Sequence, residues 1–272
     1  MSKVWLITGS SKGFGRAFTE AALERGDRVA ATARDTSTLA DLAERYGDAI
    51  LPLTLDVTDR EAAFRAVSSA HETFGRLDVV INNAGYGLFG TVEEITEQQL
   101  RDQLEVNLFG VLHVTQAVLP IMREQGSGHI IQVSSIGGLV AFPNLGGYHA
   151  SKWALEALSD SLAQEVAGFG INVTIVEPTG FDTDWSTASA VFADPLPQYA
   201  PLHEGMAAQR ATTTQPKPVG FGDAILAVVD AETPPRRVFF GESATQIVPH
   251  ILNQRLTDLA EWNSVSRLAE GK

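Results

Sequence analysis

Short apolar runs alternate along this chain with stretches whose apolar residues recur three and four apart. The runs are Val4–Thr8, Arg28–Ala33, Ile50–Leu55, Leu77–Ile81, His129–Ser134, Asn172–Glu177 and Arg237–Gly241. They are rich in Val, Ile and Leu, and most are continuous rather than alternating, as strands buried on both faces of a parallel sheet are. Between them, Gly13–Arg25, Thr36–Tyr46, Asp59–Phe74, Thr96–Arg123 and Gly147–Phe169 show helical periodicity. This rhythm predicts βαβ units with right-handed crossovers, and so an α/β fold built on a doubly wound parallel sheet of about seven strands flanked by helices.

One stretch breaks the rhythm. Residues 179–218 are rich in Thr, Ser, Ala and Pro, with Phe181, Trp185, Phe192 and Tyr199 scattered among them. A loop of this length inside a compact domain is either a lid or an inert insertion. It follows a strand, so it leaves the carboxyl edge of the sheet, where ligands bind in such folds, and is read as a substrate lid. A last helical segment, 244–270, follows the final strand. No internal repeat or long linker divides the chain, so residues 1–272 are read as one domain.

Composition narrows the function classes. There is no cysteine, which removes a disulfide framework and a thiolate metal site and agrees with a cytoplasmic location; no metal site is expected. The formal net charge of −13 repels phosphate backbones and anionic bilayers, so neither nucleic acid nor membrane is expected as a partner. The opening run MSKVWLITG is too short for a signal-peptide core. Nowhere do about 18 apolar residues follow one another without a charge or breaker, so no membrane span is expected.

The first run ends in Thr8-Gly9-Ser10-Ser11-Lys12-Gly13-Phe14-Gly15 and passes into a helix. Gly9, Gly13 and Gly15 let a backbone turn tightly and approach a pyrophosphate, with Ser11, Lys12 and Phe14 between them. The helix start adds free N–H groups and the positive end of a dipole. A glycine-rich turn alone is also an ordinary turn; its position after the first strand is what points to a dinucleotide. The second run ends at Ala33, followed by Arg34 and Asp35. An NAD site places an acidic side chain near here on the ribose 2′-OH, and Asp35 competes for that role. Arg34, with Lys12, can instead grip a 2′-phosphate. Two cations outweigh one ribose hydrogen bond, so NADP(H) is favoured over NAD(H), and Asp35 is otherwise a helix N-terminal residue. At the third strand end, Asp56, with Val57 beside it, is read either as an acceptor for the adenine amino group or as the cap of the next helix. At the fourth, Asn82-Asn83-Ala84-Gly85 leaves room for a ring or ribose against the backbone, or forms a plain turn.

Candidate chemistry lies in VSSIGGLVAFPNLGGYHASKWALEAL. Tyr148 and Lys152 are four apart and share a helix face. Ser135 lies at a strand end, thirteen residues before Tyr148, across a loop that can fold back. Hydride transfer to a carbonyl leaves an alkoxide that must receive a proton. A free tyrosine has a pKa near 10, and a neighbouring ammonium is expected to lower it by about one to three pH units. Tyr148 would then act as acid in reduction and base in oxidation. Ser135 would hydrogen-bond the reacting oxygen, and Lys152 would also hold the nicotinamide ribose. Each residue has a duller reading alone: a chance pair one turn apart, a strand-end hydroxyl, and for Asn107 a polar residue on a helix. Phe89, Phe142, Leu145 and Trp185 are expected near Ser135 and Tyr148, as an apolar, aromatic-lined pocket for a small carbonyl or alcohol.

Together, TGSSKGFG at 8–15, NNAG at 82–85, Asn107, Ser135 and YHASK at 148–152 resemble the short-chain dehydrogenase/reductase family in its compact single-domain branch. The match runs in register from about residue 3 to 185. The resemblance implies a Rossmann fold, a nicotinamide cofactor and a Ser-Tyr-Lys-Asn tetrad in which Asn107 holds a water in a proton relay with Lys152. It implies a basic residue where Lys12 and Arg34 stand in NADP(H)-preferring members, and cofactor contacts at Pro178, Gly180 and Thr183. It also implies a homo-dimer or homo-tetramer packed through the helices near 96–123 and 147–169. The chain departs from the family at Thr179, where a glycine usually follows Pro178. The implied activity is that of a carbonyl reductase or alcohol dehydrogenase. Two other readings stay open. A catalytically silent NADP(H) sensor or scaffold would need the phosphate loop without Ser135, Tyr148 and Lys152 together. A reductase of carrier-bound 3-oxoacyl groups would need a basic docking patch, which the net charge disfavours.

Overall fold

A computed structural model describes residues 2–187 and 189–272; Ala188, inside the expected lid, lies outside the described residues. The chain runs β1 (Val4–Ile7), α1 (Gly13–Glu24), β2 (Arg28–Ala33), α2 (Ala40–Tyr46), β3 (Ile50–Thr54), α3 (Arg60–Phe74), β4 (Val79–Asn82) and β5 (Leu88–Phe89). It continues through α4 (Glu97–Leu104), α5 (Gly110–Gln125), β6 (Gly128–Val133), α6 (Gly146–Val166), β7 (Ile171–Pro178), β8 (Val191–Phe192), α7 (Ala200–Thr212), α8 (Phe221–Asp230), β9 (Arg237–Phe240), α9 (Ala244–Glu261) and α10 (Asn263–Ala269). The main sheet has seven parallel strands in the order β3-β2-β1-β4-β6-β7-β9. The order reverses between β1 and β4, and the crevice beyond their carboxyl ends is where a doubly wound sheet takes a ligand. This is the expected single-domain Rossmann-type α/β fold.

The strands read as continuous apolar runs because both faces of the sheet are covered. Val4, Leu6, Val80 and Ile130 face one layer, shared with α3, α5 and α6. Trp5, Ile7, Ile81 and Ile131 face the other, shared with α1, α2 and α8. Alternation of side chains along a strand sends neighbours to opposite layers, and each fully buried Leu, Ile or Phe contributes about 1.5–3 kcal/mol relative to exposure. Helix starts follow the capping residues: Asp59 accepts from Ala62 N, and Thr96 forms a capping box with Gln99.

Three elements differ from the sequence reading. The segment expected as one helix, Thr96–Arg123, is two helices joined by a π turn over Glu105–Phe109. By length and composition alone, Glu97–Gln125 could cross a bilayer, but Val114, Val118 and Met122 sit in the core against α3 and the sheet. The helix α8 was not anticipated; it has no side-chain N-cap and spans ten residues, too little for its periodicity to stand out. The stretch 179–218 is largely ordered, with β8 paired to β5 in a second, two-stranded sheet and α7 following.

Candidate active site

The loop after β1 is fastened by side chains on both sides of the switch point. Thr8 Oγ1 accepts from Asn83 N at 2.9 Å and Ala84 N at 3.0 Å, while Asn83 Nδ2 donates to the carbonyls of Thr8 and Gly9. Asn83 therefore clamps the glycine loop, and its amide is committed to protein. Gly9 adopts φ +70°, and a β-carbon on Gly15 would collide with the Gly9 carbonyl and the Asn83 amide. Glycine is required at both for the backbone to pass so closely. The start of α1 lacks what a self-sufficient helix has: Lys12 stands at its N-cap with no side-chain cap, and the first turn holds no acidic residue. Uncapped N–H groups and the dipole end are left to face an anion, which fits the pyrophosphate of a dinucleotide. Ser11 and Gly13 lie in this loop, whereas the Phe14 ring turns into an aromatic cluster with Phe221, at 4.1 Å between centroids, and Phe181. Only the backbone of Phe14 remains at the loop.

At the end of β2, Arg34 and Asp35 are both exposed. Asp35 is already occupied: it caps the turn Thr36–Leu39 by accepting from Ser37 N at 2.9 Å, and hydrogen bonding by Ser37 holds its carboxyl below the usual range. This is the helix-start reading, and it engages Oδ1 of an exposed carboxylate. Arg16, nearby on α1, is paired with Glu20 and Asp41; Arg34 makes no ion pair among the described residues. Asp56 accepts from both N and Oγ1 of its neighbour Thr58, and the cap of α3 is Asp59. The capping alternative for Asp56 therefore fails, because Asp59 is the residue with extended backbone one step before the helix. The Val57 carbonyl faces His113 Nδ1 at 3.1 Å.

Ser135, Tyr148 and Lys152 converge. The β6 strand ends at Val133, Ser135 follows, and the chain returns through a turn in which Asn144 adopts φ +67°, a left-handed conformation asparagine tolerates. Tyr148 is 6% exposed and Lys152 likewise, both on the first turns of α6. The Ser135 hydroxyl lies close enough to the phenol to favour its ionised form, while its own hydrogen is donated to the Pro178 carbonyl at 3.4 Å. The Lys152 ammonium donates to the Val133 carbonyl at 2.8 Å and lies 5.9 Å from the Tyr148 ring centre. Burial pushes the phenol up to about 12, with Ser135 pulling part of the way back. Burial also depresses Lys152 to about 8, against the pull of Glu156. This corrects the expectation of a lowered tyrosine: desolvation outweighs an ammonium that is aimed at a carbonyl.

Asn107 sits in the middle of the π turn, fully buried. Its Oδ1 accepts from Tyr86 N at 3.2 Å, and its Nδ2 donates to Tyr86 O and Ser151 Oγ, each at 3.1 Å. It ties the 85–86 turn to α6 between Tyr148 and Lys152. Both amide hydrogens are used, so a relay water would have to be held by the remaining Oδ1 lone pair or by main chain.

The loop behind Ser135 is held by a residue that the sequence did not mark. His149 donates from Nδ1 to the Gly137 carbonyl at 2.9 Å and accepts at Nε2 from Phe142 N at 3.0 Å. Burial lowers its pKa, so it is neutral, with the proton on Nδ1. Gly137 N in turn donates to Ser135 Oγ at 3.0 Å. The only signal in the sequence was a histidine beside Tyr148. Pro178, whose carbonyl accepts from Ser135 Oγ at 3.4 Å, also belongs to this end of the sheet. Thr179, the departure from the family pattern, hydrogen-bonds from N and Oγ1 to Phe240 O and packs on Gly241, so its side chain serves the β7–β9 junction. Gly180 faces Gln215, and Thr183 Oγ1 accepts from Trp185 N.

Over Tyr148 stand aromatic rings from the expected pocket. Trp185 lies 4.9 Å from Tyr148 between ring centroids, and Phe89 lies 5.3 Å from Trp185. Phe192, not placed in the pocket by the sequence, stacks on Phe89 at 5.1 Å, and the Arg210 guanidinium of α7 lies 5.8 Å from the centre of the Phe89 ring. Leu145 pairs with Gly90 at the base. Phe142 stands aside: it is 38% exposed, and its ring contact is with His149. The covering segment is anchored by Glu94, which accepts from Thr91 N and Leu196 N and pairs with His203 at 2.8 Å. Burial raises the Glu94 carboxyl, but these hydrogen bonds outweigh it and bring it to about 2.

Comparison with known proteins places this geometry. The family described as short chain dehydrogenase matches residues 3–191. An oxidoreductase, BOA17, of Botryotinia fuckeliana is 44% identical over 270 residues, covering 98% of each chain. A 3-ketodihydrosphingosine reductase of Bacteroides thetaiotaomicron is 41% identical over 184 residues, 68% of this chain and 66% of that one. Among solved structures, a short-chain dehydrogenase from Streptomyces avermitilis superposes with a TM-score of 0.92 at 41% identity, covering 98% of both chains. A short chain dehydrogenase from Burkholderia cenocepacia in complex with NADP has a TM-score of 0.77 at 28% identity, covering 96% of this chain and 97% of the other. One from Burkholderia phymatum in complex with NAD has a TM-score of 0.78 at 26% identity, covering 91% and 92%.

Proposed function

Because the chain belongs to the short-chain dehydrogenase/reductase family, we propose that it is an NADP(H)-dependent oxidoreductase that interconverts a largely apolar ketone or aldehyde and the corresponding alcohol. The observation that carries this reading is the convergence of Ser135, Tyr148 and Lys152 beneath Trp185 at the carboxyl edge of the sheet. A nicotinamide dinucleotide supplies the hydride when bound. Ser135 and the Tyr148 hydroxyl hold the carbonyl oxygen, and Tyr148 gives its proton to that oxygen in reduction. A phenol at about 12 is protonated at neutral pH, the form that reduction needs. Oxidation needs the tyrosinate and is favoured as pH rises. Lys152 supplies positive charge beside the phenol and a donor for the nicotinamide ribose. Trp185, Phe89 and Phe192 exclude water and present an apolar wall, and 179–218 acts as the lid that carries two of them.

NADP(H) is the preferred reading because Arg34, following β2, and Lys12, in the glycine loop, offer two cations to a 2′-phosphate, while Asp35 caps its own turn. A relative named as a 3-ketodihydrosphingosine reductase supports ketone reduction. The test is titration of NADPH and NADH, followed by a ketone and alcohol screen with the tighter cofactor for the wild-type protein and Tyr148→Phe. Turnover lost by about 10²–10⁴-fold with cofactor affinity retained is expected. Unchanged turnover in Tyr148→Phe would overturn the assignment.

A further inference from the structure

The helix face that carries Tyr148 and Lys152 continues, one turn at a time, to Glu156 and Asp160. Glu156 is buried, and its Oε2 meets the Arg237 guanidinium of β9 at 3.1 Å. The same guanidinium reaches Asp160 Oδ2 at 2.6 Å and Glu177 Oε1 at 3.2 Å. Glu177 has no exposed surface and lies at the end of β7, one residue before the Pro178 carbonyl that accepts from Ser135. Arg237 is within ion-pair distance, yet among the described residues neither Glu177 oxygen receives a hydrogen bond, nor does Glu156 Oε1. Three carboxyl groups thus share one guanidinium directly behind the candidate site.

Asp160 is partly exposed and also meets Arg236 at 3.6 Å, so the two buried carboxyls, Glu156 and Glu177, are left to compete for Arg237, and two buried carboxylates on one cation are costly. The proton goes to Glu177: burial, and then the charge of Glu156, push it up to about 8. Burial raises Glu156 as well, and Ser134 and Arg237 draw it only part of the way back. We infer that Glu156 is a positioning residue for the chemistry at Tyr148: its carboxylate, on the helix face it shares with Lys152, keeps the lysine ammonium charged inside the protein, and Arg237 holds that carboxylate in place. The inference rests on the role proposed above for Tyr148 and Lys152. The titratable groups facing the lysine are Tyr148 and Glu156 on α6; behind Glu156 lie Asp160 on α6, Glu177 on β7 and Arg237 on β9, with Arg236 reaching Asp160 at 3.6 Å. Burial alone would drive Lys152 toward the neutral amine; Glu156 is the charge that opposes it. Remove that charge and Lys152 gives up its proton at lower pH. Turnover that depends on the ammonium then falls from a lower pH.

The test compares wild type, Glu156→Gln, Glu156→Asp and Glu177→Gln by two readouts. The first is the pH profile of kcat/KM for ketone reduction. The second needs no turnover: the pKa of Lys152 by NMR of lysine labelled at Cε, tractable because the chain has five lysines, with Lys152→Met for assignment. In Glu156→Gln, the alkaline limb and the lysine pKa both move down by about one pH unit or more. Glu156→Asp, which keeps the charge, stays near wild type. Glu177→Gln overlays wild type through neutral pH, because an amide replaces a carboxyl that is already neutral. A structural role alone would lower activity at every pH and leave the profile in place. A Glu156→Gln profile merely scaled down, with Lys152 titrating as in wild type, overturns the inference. A wild-type protein without turnover, in which Glu156→Gln still lowers the lysine pKa, overturns the proposed function and the catalytic part of the inference, and leaves only the coupling of Glu156 to Lys152.

Discussion

The indole of Trp185 stands edge-on to the phenol of Tyr148, with ring centroids 4.9 Å apart and planes at 62°. One ring belongs to the segment covering the crevice and the other to α6. Contact between them means that the apolar wall and the proton donor are positioned together. Gly87 makes this possible, since a β-carbon there would come within 2.7 Å of the indole.

Trp185→Ala should therefore act on substrate binding before it acts on chemistry. The expected result is a KM for apolar ketones raised about tenfold, equivalent to about 1.4 kcal/mol, with kcat changed less and NADPH affinity unchanged. Gly87→Ala, which displaces the ring without deleting it, should shift KM the same way. Steady-state kinetics with a series of ketones checks both. A loss confined to kcat would place the indole in the chemical step instead.

Arg34→Ala and Lys12→Ala should each weaken NADPH by about ten- to a hundredfold, the scale of one charge-assisted hydrogen bond of about 1.5–3 kcal/mol. NADH affinity should change little, because it has no 2′-phosphate to lose contact with. Fluorescence titration of both cofactors separates the cases. Equal losses for both cofactors would mean that the residues serve the pyrophosphate or the fold rather than cofactor choice.

His149→Ala leaves the Gly137 carbonyl and the Phe142 amide without their partner. Each buried unpaired group costs about 1–3 kcal/mol, so a clear fall in Tm is expected. Because Gly137 N also donates to Ser135, turnover should drop while NADPH still binds. Thermal unfolding with and without NADPH, beside kcat, measures both effects. A variant as stable and active as wild type would show that the loop holds itself.

The pH dependence of stability carries the signature of Glu177. Its folded pKa, about 8, lies above the ordinary 4.5. The folded state therefore holds a proton that the unfolded state releases. That contribution is complete below pH 4.5 and is lost as pH rises to about 8. Wild-type Tm should decline across this window, and Glu177→Gln, which cannot ionise, should flatten the decline. Parallel curves for the two proteins would place the proton elsewhere.

Much of this was legible in the sequence because it depends on local pattern. The continuous runs at Val4–Ile7 and Val79–Asn82 gave away strands covered on both faces, and the four-residue step from Tyr148 to Lys152 put both on one helix face. What escaped depends on partners far apart in the chain. Glu94 meets His203 109 residues later, and Arg237 meets Glu156 across 81. Nothing in the local sequence of either residue announces the other. The pKa of Tyr148 was misjudged for the same reason. Spacing shows that a lysine is near, but not that its ammonium is turned to the Val133 carbonyl or how little water reaches the phenol.

The π turn at Glu105–Phe109 carries one residue more than an α-helical turn would hold. Deleting any one of those five residues would let the segment close into continuous α-helix. Everything on its amino-terminal side would then rotate by about 100° relative to α5. Glu97–Leu104 would lose the packing that lets Gln103 accept from Leu88 N, and Asn107 would leave the Tyr86 backbone. The placement of that amide is thus encoded in chain length as well as in residue type. A one-residue deletion here should do more damage than substituting any exposed neighbour, and a homologous chain that kept an asparagine but lost the extra residue would not keep the site.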